Sequence, residues 1–202
     1  LALGLAVLVA GSLHPGYSHA SQFISELGAT GAPYRAVMNF GGIIPAGVLT
    51  VAFALAMYWN FGPGFSLAVS SALAAVAGLG RLTAGIFPCD PGCSMVEMSR
   101  PAQIHMLGGF VSFTCGILAP LVFAFAIRSV RPRLSVLSLV LGLGALVALV
   151  AGMQQGQGSP FVGVFQRLHL AFFYGWVTVV AFVGLASASD CRTVAQEGPG
   201  VR

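Results

Sequence analysis

Lysine is absent from this sequence, and charge of either sign is scarce: nine arginines and five acids in 202 residues, or 7% charged. A soluble domain averages about 25%, so these few charges cannot cover the surface of a water-facing globule. The formal charge of +4 comes from arginines scattered along the chain and forms no basic patch. Four cysteines are too few for a disulfide scaffold. The chain also lacks a P-loop, a dinucleotide fingerprint, a GxSxG elbow, an HExxH or HxxxH helix motif and a haem-attachment motif. No internal repeat is visible. These absences exclude an ordinary soluble enzyme, a disordered chain and a nucleic-acid binder. What is abundant is apolar: 57% of residues are hydrophobic, as in an integral membrane protein.

A helix needs about 20 apolar residues to cross the hydrocarbon core. Six apolar stretches can be read, at 1–13, 35–60, 64–87, 102–127, 134–153 and 168–188. They predict an all-α polytopic bundle of about six spans, a single transmembrane domain over 1–202. The first stretch is short for a span. Either residues precede Leu1 or that helix enters at shallow depth; a signal peptide fits less well because no basic region precedes it. Gly41, Gly42, Pro45 and Pro120 lie inside spans, as small residues and prolines do where membrane helices pack closely.

Arginine placement sets the orientation. Arg128, Arg131 and Arg133 fall between spans four and five, and Arg192 and Arg202 in the tail; Arg35, Arg100 and Arg167 fall on the other side. The cluster and both termini are therefore expected in the cytoplasm, with the protein in the cell membrane. The outward loops, 14–35, 87–105 and 165–169, then hold all four histidines (His14, His19, His105, His169) together with Glu26, Asp90 and Glu97. Such a polar mouth is a candidate site.

Within it, Pro101 suits the first turn of span four, and His105 follows about 6 Å into the helix. It is a candidate general base or metal ligand; the competing reading is an interfacial histidine bonded to a carbonyl. His169 opens span six, two residues after Arg167, a spacing that puts them on different faces. Arg167 reads either as a clamp on an anionic headgroup or as an interfacial contact with lipid phosphate. Arg81 lies about 9 Å into span three, where a charge is costly unless paired or snorkelling; the flanking Gly78, Gly80 and Gly85 favour a buried ion pair, with Glu26 or Asp90 as partner. SQFISELG resembles an amphipathic interfacial helix ending at a Gly28 cap. It is either a passive surface helix or a lid presenting Ser25 or Glu26. The preceding HPGYSH is a donor-rich turn, with Tyr17 a candidate substrate contact. Cys89 and Cys93 flank a DPG turn and would form a disulfide in an oxidising compartment or stay reduced in a cytosolic one; Cys115 and Cys191 read as structural. A zinc site would draw on His105, His169, Asp90 and one of His14 or His19, but from separate loops.

Taken together, YSHASQFISELG, Asn39, GIFPCD, His105 and QRLH resemble a prokaryotic membrane family known as domain of unknown function 998. The resemblance spans most of the chain. It implies a bundle of about six helices with no established activity, and gives weight to Ser25, Glu26, Gly28, Pro88, Asp90, His105 and Arg167. The pattern often has Asp where this chain has Glu26, and CxxxC is not expected of it. By looser analogy the family is similar to the Frag1-like group, which is linked to lipid remodelling.

Three functions compete. The first is a lipid-directed membrane hydrolase or transferase, or a lipid binder, with His105 as base, Asp90, Ser25 and Glu26 as catalytic candidates, Arg167, Arg81 and Tyr17 holding substrate, and zinc a possible cofactor. The second is a non-enzymatic accessory subunit or lipid-binding scaffold with protein partners in the membrane. A transporter fits less well, because it wants broken helices and a midplane site. Membrane lipids are the expected partners; nucleic acid is not.

Overall fold

The computed structural model describes residues 2–156 and 158–196, without the side chains of 187–196. Among the described residues there are helices and turns and no strand. Five helical stretches are long and apolar enough to cross a membrane: Arg35–Phe61, Phe65–Ile86, Arg100–Ile127, Pro132–Gln155 and Val162–Ala186. The protein is a multi-pass helical membrane protein. Arg35–Phe61 comprises α2 (Arg35–Met38), a π-helical turn (Asn39–Ile43) and α3 (Ile44–Phe61). The others are α4 (Phe65–Ile86), α5 (Arg100–Ile127), α6 (Pro132–Gln155) and α7, which continues to Gln196. The first apolar stretch forms α1 (Ala2–Leu13), only 12 residues long. At about 1.5 Å per residue it falls well short of a ~30 Å core. Arg202, and the side chains of Cys191 and Arg192, lie outside the described residues.

Helix contacts follow the small residues. Gly47 and Gly78 face each other across α3 and α4, and Gly80 and Gly108 across α4 and α5; a methyl group on any of them would run into the partner's backbone. Without side chains in the way, backbones approach and dispersion contacts accumulate. Hydroxyl groups add cross-links, Ser70 Oγ donating to the Ala119 carbonyl (2.8 Å) and Ser135 Oγ to that of Ala124 (2.7 Å). One buried cluster contains Phe123, Phe173 and Trp176, with Trp176 edge-on to Phe53 and to Phe123. α1 buries Leu3, Ala6, Val7 and Ala10 against Met38, Ile43 and Ala46.

At the end opposite the Arg128–Arg133 cluster, non-helical chain covers the bundle. One segment contains a 3-10 turn, Ile24–Gly28, where the sequence suggests a longer amphipathic helix. Ile24 and Leu27 are buried against α1, so this turn is part of the fold and not a surface helix on lipid. Gly28 is not its left-handed cap either: the chain leaves through extended Ala29. The glycine is needed because buried Asn39 presses on it, donating from Nδ2 to the Gly28 carbonyl at 3.0 Å.

The Gly80–Gly108 seam gives a direct test. Gly108→Ala places a methyl group 2.7 Å from the Gly80 carbonyl oxygen. It is expected to destabilise the bundle by about 1–3 kcal/mol, read by chemical unfolding in detergent. Unchanged stability would contradict the close approach of α4 and α5.

Candidate functional site

A cavity of about 460 Å³ opens at the covered end between α4, α5, α6 and α7. Its lining is mostly apolar, but Arg81, His105, Ser112, His169, Ser25 and Gln166 contribute to it. Phe110 of α5 and Met153 of α6 line it too, yet are 66% and 73% exposed. The cavity therefore has a sideways opening between α5 and α6 on the apolar flank of the bundle. Nearer the arginine cluster those helices close up, with Gly142 against Leu121 and Pro120.

Arg81 forms the polar floor and is 6% exposed. The expected ion pair is not there. Nη1 donates to Tyr174 Oη and Nη2 to Ser112 Oγ, both at 2.9 Å, and the guanidinium lies 5.1 Å from the Tyr174 ring centre. Nε has no partner. Glu26 and Asp90 are held elsewhere. Glu26 accepts from the Phe23 N–H (2.7 Å) and from Gln22 Nε2 (2.8 Å). Asp90 accepts from the Ser99 N–H (2.8 Å) and Oγ–H (2.7 Å). Arg81 is thus a buried cation solvated by neutral hydroxyls and aromatic rings. It does not snorkel, because Gly80 and Gly108 set α4 against α5 and put Ser112 within its reach.

Both histidines of the cavity are held by carbonyls. His105 Nδ1 lies 2.9 Å from the Ala84 oxygen and 3.0 Å from that of Phe87. His169 Nδ1 is 3.0 Å from the Ala145 oxygen, with its ring edge-on to Phe113. A carbonyl can only accept, so Nδ1 carries a hydrogen in each, and in a neutral ring the lone pair is then on Nε2. His169 is 1% exposed and its Nε2 has no partner.

Arg167 and Tyr17 are not in the cavity wall. Arg167 Nη1 donates to the Gln22 and Gly163 carbonyls (3.0 and 2.9 Å), and Nη2 to Tyr17 Oη (2.6 Å) and His19 Nδ1 (3.1 Å). Its terminal donors fasten residues 17–22 to the start of α7 and leave no free fork for a headgroup. Gln166 Oε1 and the Val164 N–H complete the seam through the Ile24 N–H and the Ala20 carbonyl. Gly163 leaves room there, since a side chain would strike three loop carbonyls. Burial raises the Tyr17 pKa above 10.0 despite the opposing pull of Arg167. His19 falls below 6.5 through burial and the same cation. His14 pairs with the Pro15 carbonyl.

Asp90 is also outside the cavity. By fixing Ser99, whose Oγ accepts from the Ala102 N–H, it secures the start of α5. Its pKa is lowered below 3.8 by the backbone and then the side-chain hydrogen bond from Ser99. His105, His169 and Asp90 therefore do not converge as a metal set. Among the described residues the group that does is Cys89, Cys93 and His105, with ligand atoms within 4.8 Å of one another. The two cysteines are disulfide-bonded. Ser25 lines the cavity, but its hydroxyl makes no hydrogen bond to a histidine or carboxylate among the described residues.

Sequence reasoning missed Ser112, Tyr174 and Gln166. Ser112 had a weak signal, being one turn beyond Gly108 on the α5 face that meets α4. Tyr174 and Gln166 had none, because their partners are 93 and 142 residues away in the chain.

Two pH tests follow from the covering segments. Burial, and then the charge of Arg167, depress the folded pKa of His19, so its contribution is complete above 6.5 and lost as pH falls below. In Arg167→Gln, the His19 imidazole resonance is expected to titrate closer to 6.5; an unmoved titration would remove Arg167 as a cause. For Asp90 the contribution is present above about 3.8 and lost as pH falls through the lower folded value. The stability gap between wild type and Asp90→Asn is expected to be flat above that range and to close on acidification, in thermal melts. A gap that persists in acid would show that the carboxylate charge is not what Ser99 reads.

No curated protein and no solved structure matches the chain. A family model described as a protein of unknown function (DUF998) matches residues 1–183. With nearly the whole length of the bundle inside that match, the chain belongs to the DUF998 family.

Proposed function

We propose that the protein binds a membrane amphiphile, a lipid or lipid-linked molecule with an anionic head, in the cavity between α4, α5, α6 and α7. The observation that carries this reading is Arg81: a cation 6% exposed, without an ion pair among the described residues, on the floor of an apolar cavity. A charge placed at depth costs roughly 2.5–3.5 kcal/mol even on insertion scales. Hydroxyl dipoles from Ser112 and Tyr174 offset part of that; an anionic oxygen would offset more. The opening flanked by Phe110 and Met153 admits an acyl chain directly from a lipid leaflet. The volume of about 460 Å³ is within the range of about 300–1,000 Å³ usual for ligand sites.

The arginine bias of the loops supports putting the cavity at the extracytoplasmic side of the cell membrane. The reading stops at binding. Hydrolysis by Ser25 or His105 would want an acid to orient the base, and Asp90 and Glu26 are engaged with backbone and neighbouring side chains.

Native mass spectrometry of the detergent-solubilised protein tests this with a long-chain fatty acid, a lysophosphatidate and a neutral monoacylglycerol. The anionic probes are expected to bind at least tenfold tighter than the neutral one, a difference of about 1.4 kcal/mol. Arg81→Met is expected to erase that preference without loss of stability, because an apolar side chain of similar volume removes a buried charge. Equal affinity for all three probes, or a preference that survives Arg81→Met, would overturn the reading. A partner helix found in the cavity would favour the accessory-subunit alternative.

A further inference from the structure

Beside that cavity lies a second cluster, chemically unlike the first. Cys89 and Cys93 bracket the Asp90–Pro91–Gly92 turn, and His105 stands in the second turn of α5. All are buried, at 1%, 4% and 7% exposure, with ligand atoms within 4.8 Å of one another. The turn is built to bring them together. Gly92 (φ 69°) and Cys93 (φ 46°) are both left-handed, a conformation costly for a non-glycine residue. The Cys93 N–H closes the turn on the Asp90 carbonyl at 2.8 Å. Asp90 is itself fixed to Ser99 through both carboxylate oxygens and is not part of the cluster. His105 is oriented by the Ala84 and Phe87 carbonyls on Nδ1. A metal-binding imidazole is held in the same way, through a hydrogen bond from the nitrogen that does not ligate.

The donor set is two sulfurs and one imidazole nitrogen. Such soft and borderline donors select zinc-class cations, whereas calcium and magnesium take oxygen ligands. Two thiolates, one neutral imidazole and a divalent ion sum to zero charge, which suits an enclosed position. We propose that the reduced Cys89–Cys93 pair, with His105, binds one zinc-class divalent cation, and that this state alternates with the disulfide. Reduction adds two electrons and two protons across the S–S bond, supplied by a dithiol that leaves as its own disulfide. Metal binding then releases the two thiol protons. The states differ in what they tie together. The disulfide joins Cys89 only to Cys93; the metal adds α5 through His105. Cys93 and His105 both line the cavity, so the metal would brace its wall. The proposal does not depend on what Arg81 binds.

The test uses full-length protein with Cys115→Ala and Cys191→Ala, purified in detergent with a phosphine reductant and titrated with Co²⁺. One equivalent is expected to give a thiolate-to-cobalt charge-transfer band, displaced by Zn²⁺. Cys93→Ser removes the band, His105→Ala weakens binding at least tenfold, and Arg81→Met binds as the parent does. Protein oxidised to the disulfide gives no band. Because His105→Ala removes a buried side chain, a second measurement avoids that variant: Zn²⁺ should protect Cys89 and Cys93 of the reduced parent from alkylation, and a chelator should restore labelling. Absence of the cobalt band in reduced protein, His105→Ala affinity equal to the parent's, or no protection by Zn²⁺ would each overturn the proposal.

Discussion

A full positive charge enclosed among membrane helices, with only neutral groups to answer it among the described residues, is the constraint that organises this bundle. The Arg81 guanidinium makes two hydrogen bonds, to Ser112 and Tyr174, and sits against the rings of Phe173 and Tyr174. Dipoles and ring faces attract a cation but do not cancel it, and in a low-dielectric setting its residual field is strong. That arrangement requires α4, α5 and α7 to meet at one depth. The Gly80–Gly108 contact secures the first pair, and the aromatic packing of Phe123, Phe173 and Trp176 secures the third helix. The cavity is what remains beside them, where α6 packs on α5 lower down but leaves an opening at Phe110 and Met153.

Arg167 makes the comparison instructive. It too has no carboxylate hydrogen bond among the described residues, but its terminal nitrogens reach two backbone carbonyls, a phenol and an imidazole. Carbonyl oxygens in a turn are strong, fixed acceptors, and this segment is outside the helical core. Nε lacks a partner in both arginines, but four acceptors engage the terminal nitrogens of Arg167 and make it a fastener at the covered end, whereas those of Arg81 meet two hydroxyls at depth. Which role each takes is decided by the acceptors within reach, not by the arginine.

The same distinction separates what was legible in the sequence from what was not. Long apolar runs fix helices almost regardless of context, so the five spanning stretches could be read from composition and length, and the shortness of the first was visible as well. The spacing of Arg167 and His169 correctly placed them on different faces: one grips the 17–22 segment, the other enters the cavity. His105, His169 and Ser25, which the sequence puts at the outward end, line one cavity with the deeper Arg81. The carboxylates expected to pair with Arg81 do not, for a physical reason. Glu26 satisfies an N–H three residues back, and Asp90 a serine nine residues ahead. Such local backbone demand competes for any acid near a turn or helix start, and nothing in a candidate-site reading weighs it. Gly28 was misread similarly, because Asn39, 11 residues on, lies in a different element.

Why the space stays unfilled by the protein's own side chains also has an answer in residue size. Ala84, Gly109, Ala148 and Gly152 line it, and a methyl group on Gly109 would meet nothing within 4 Å. Larger residues here would have closed the cavity and enclosed Arg81 completely. Left open, the space presents two demands that water answers poorly together: an apolar wall that disfavours hydration and a cation that requires it. The amphiphile proposed above would meet both at once, its chain displacing water from the wall and its head completing the shell around the guanidinium.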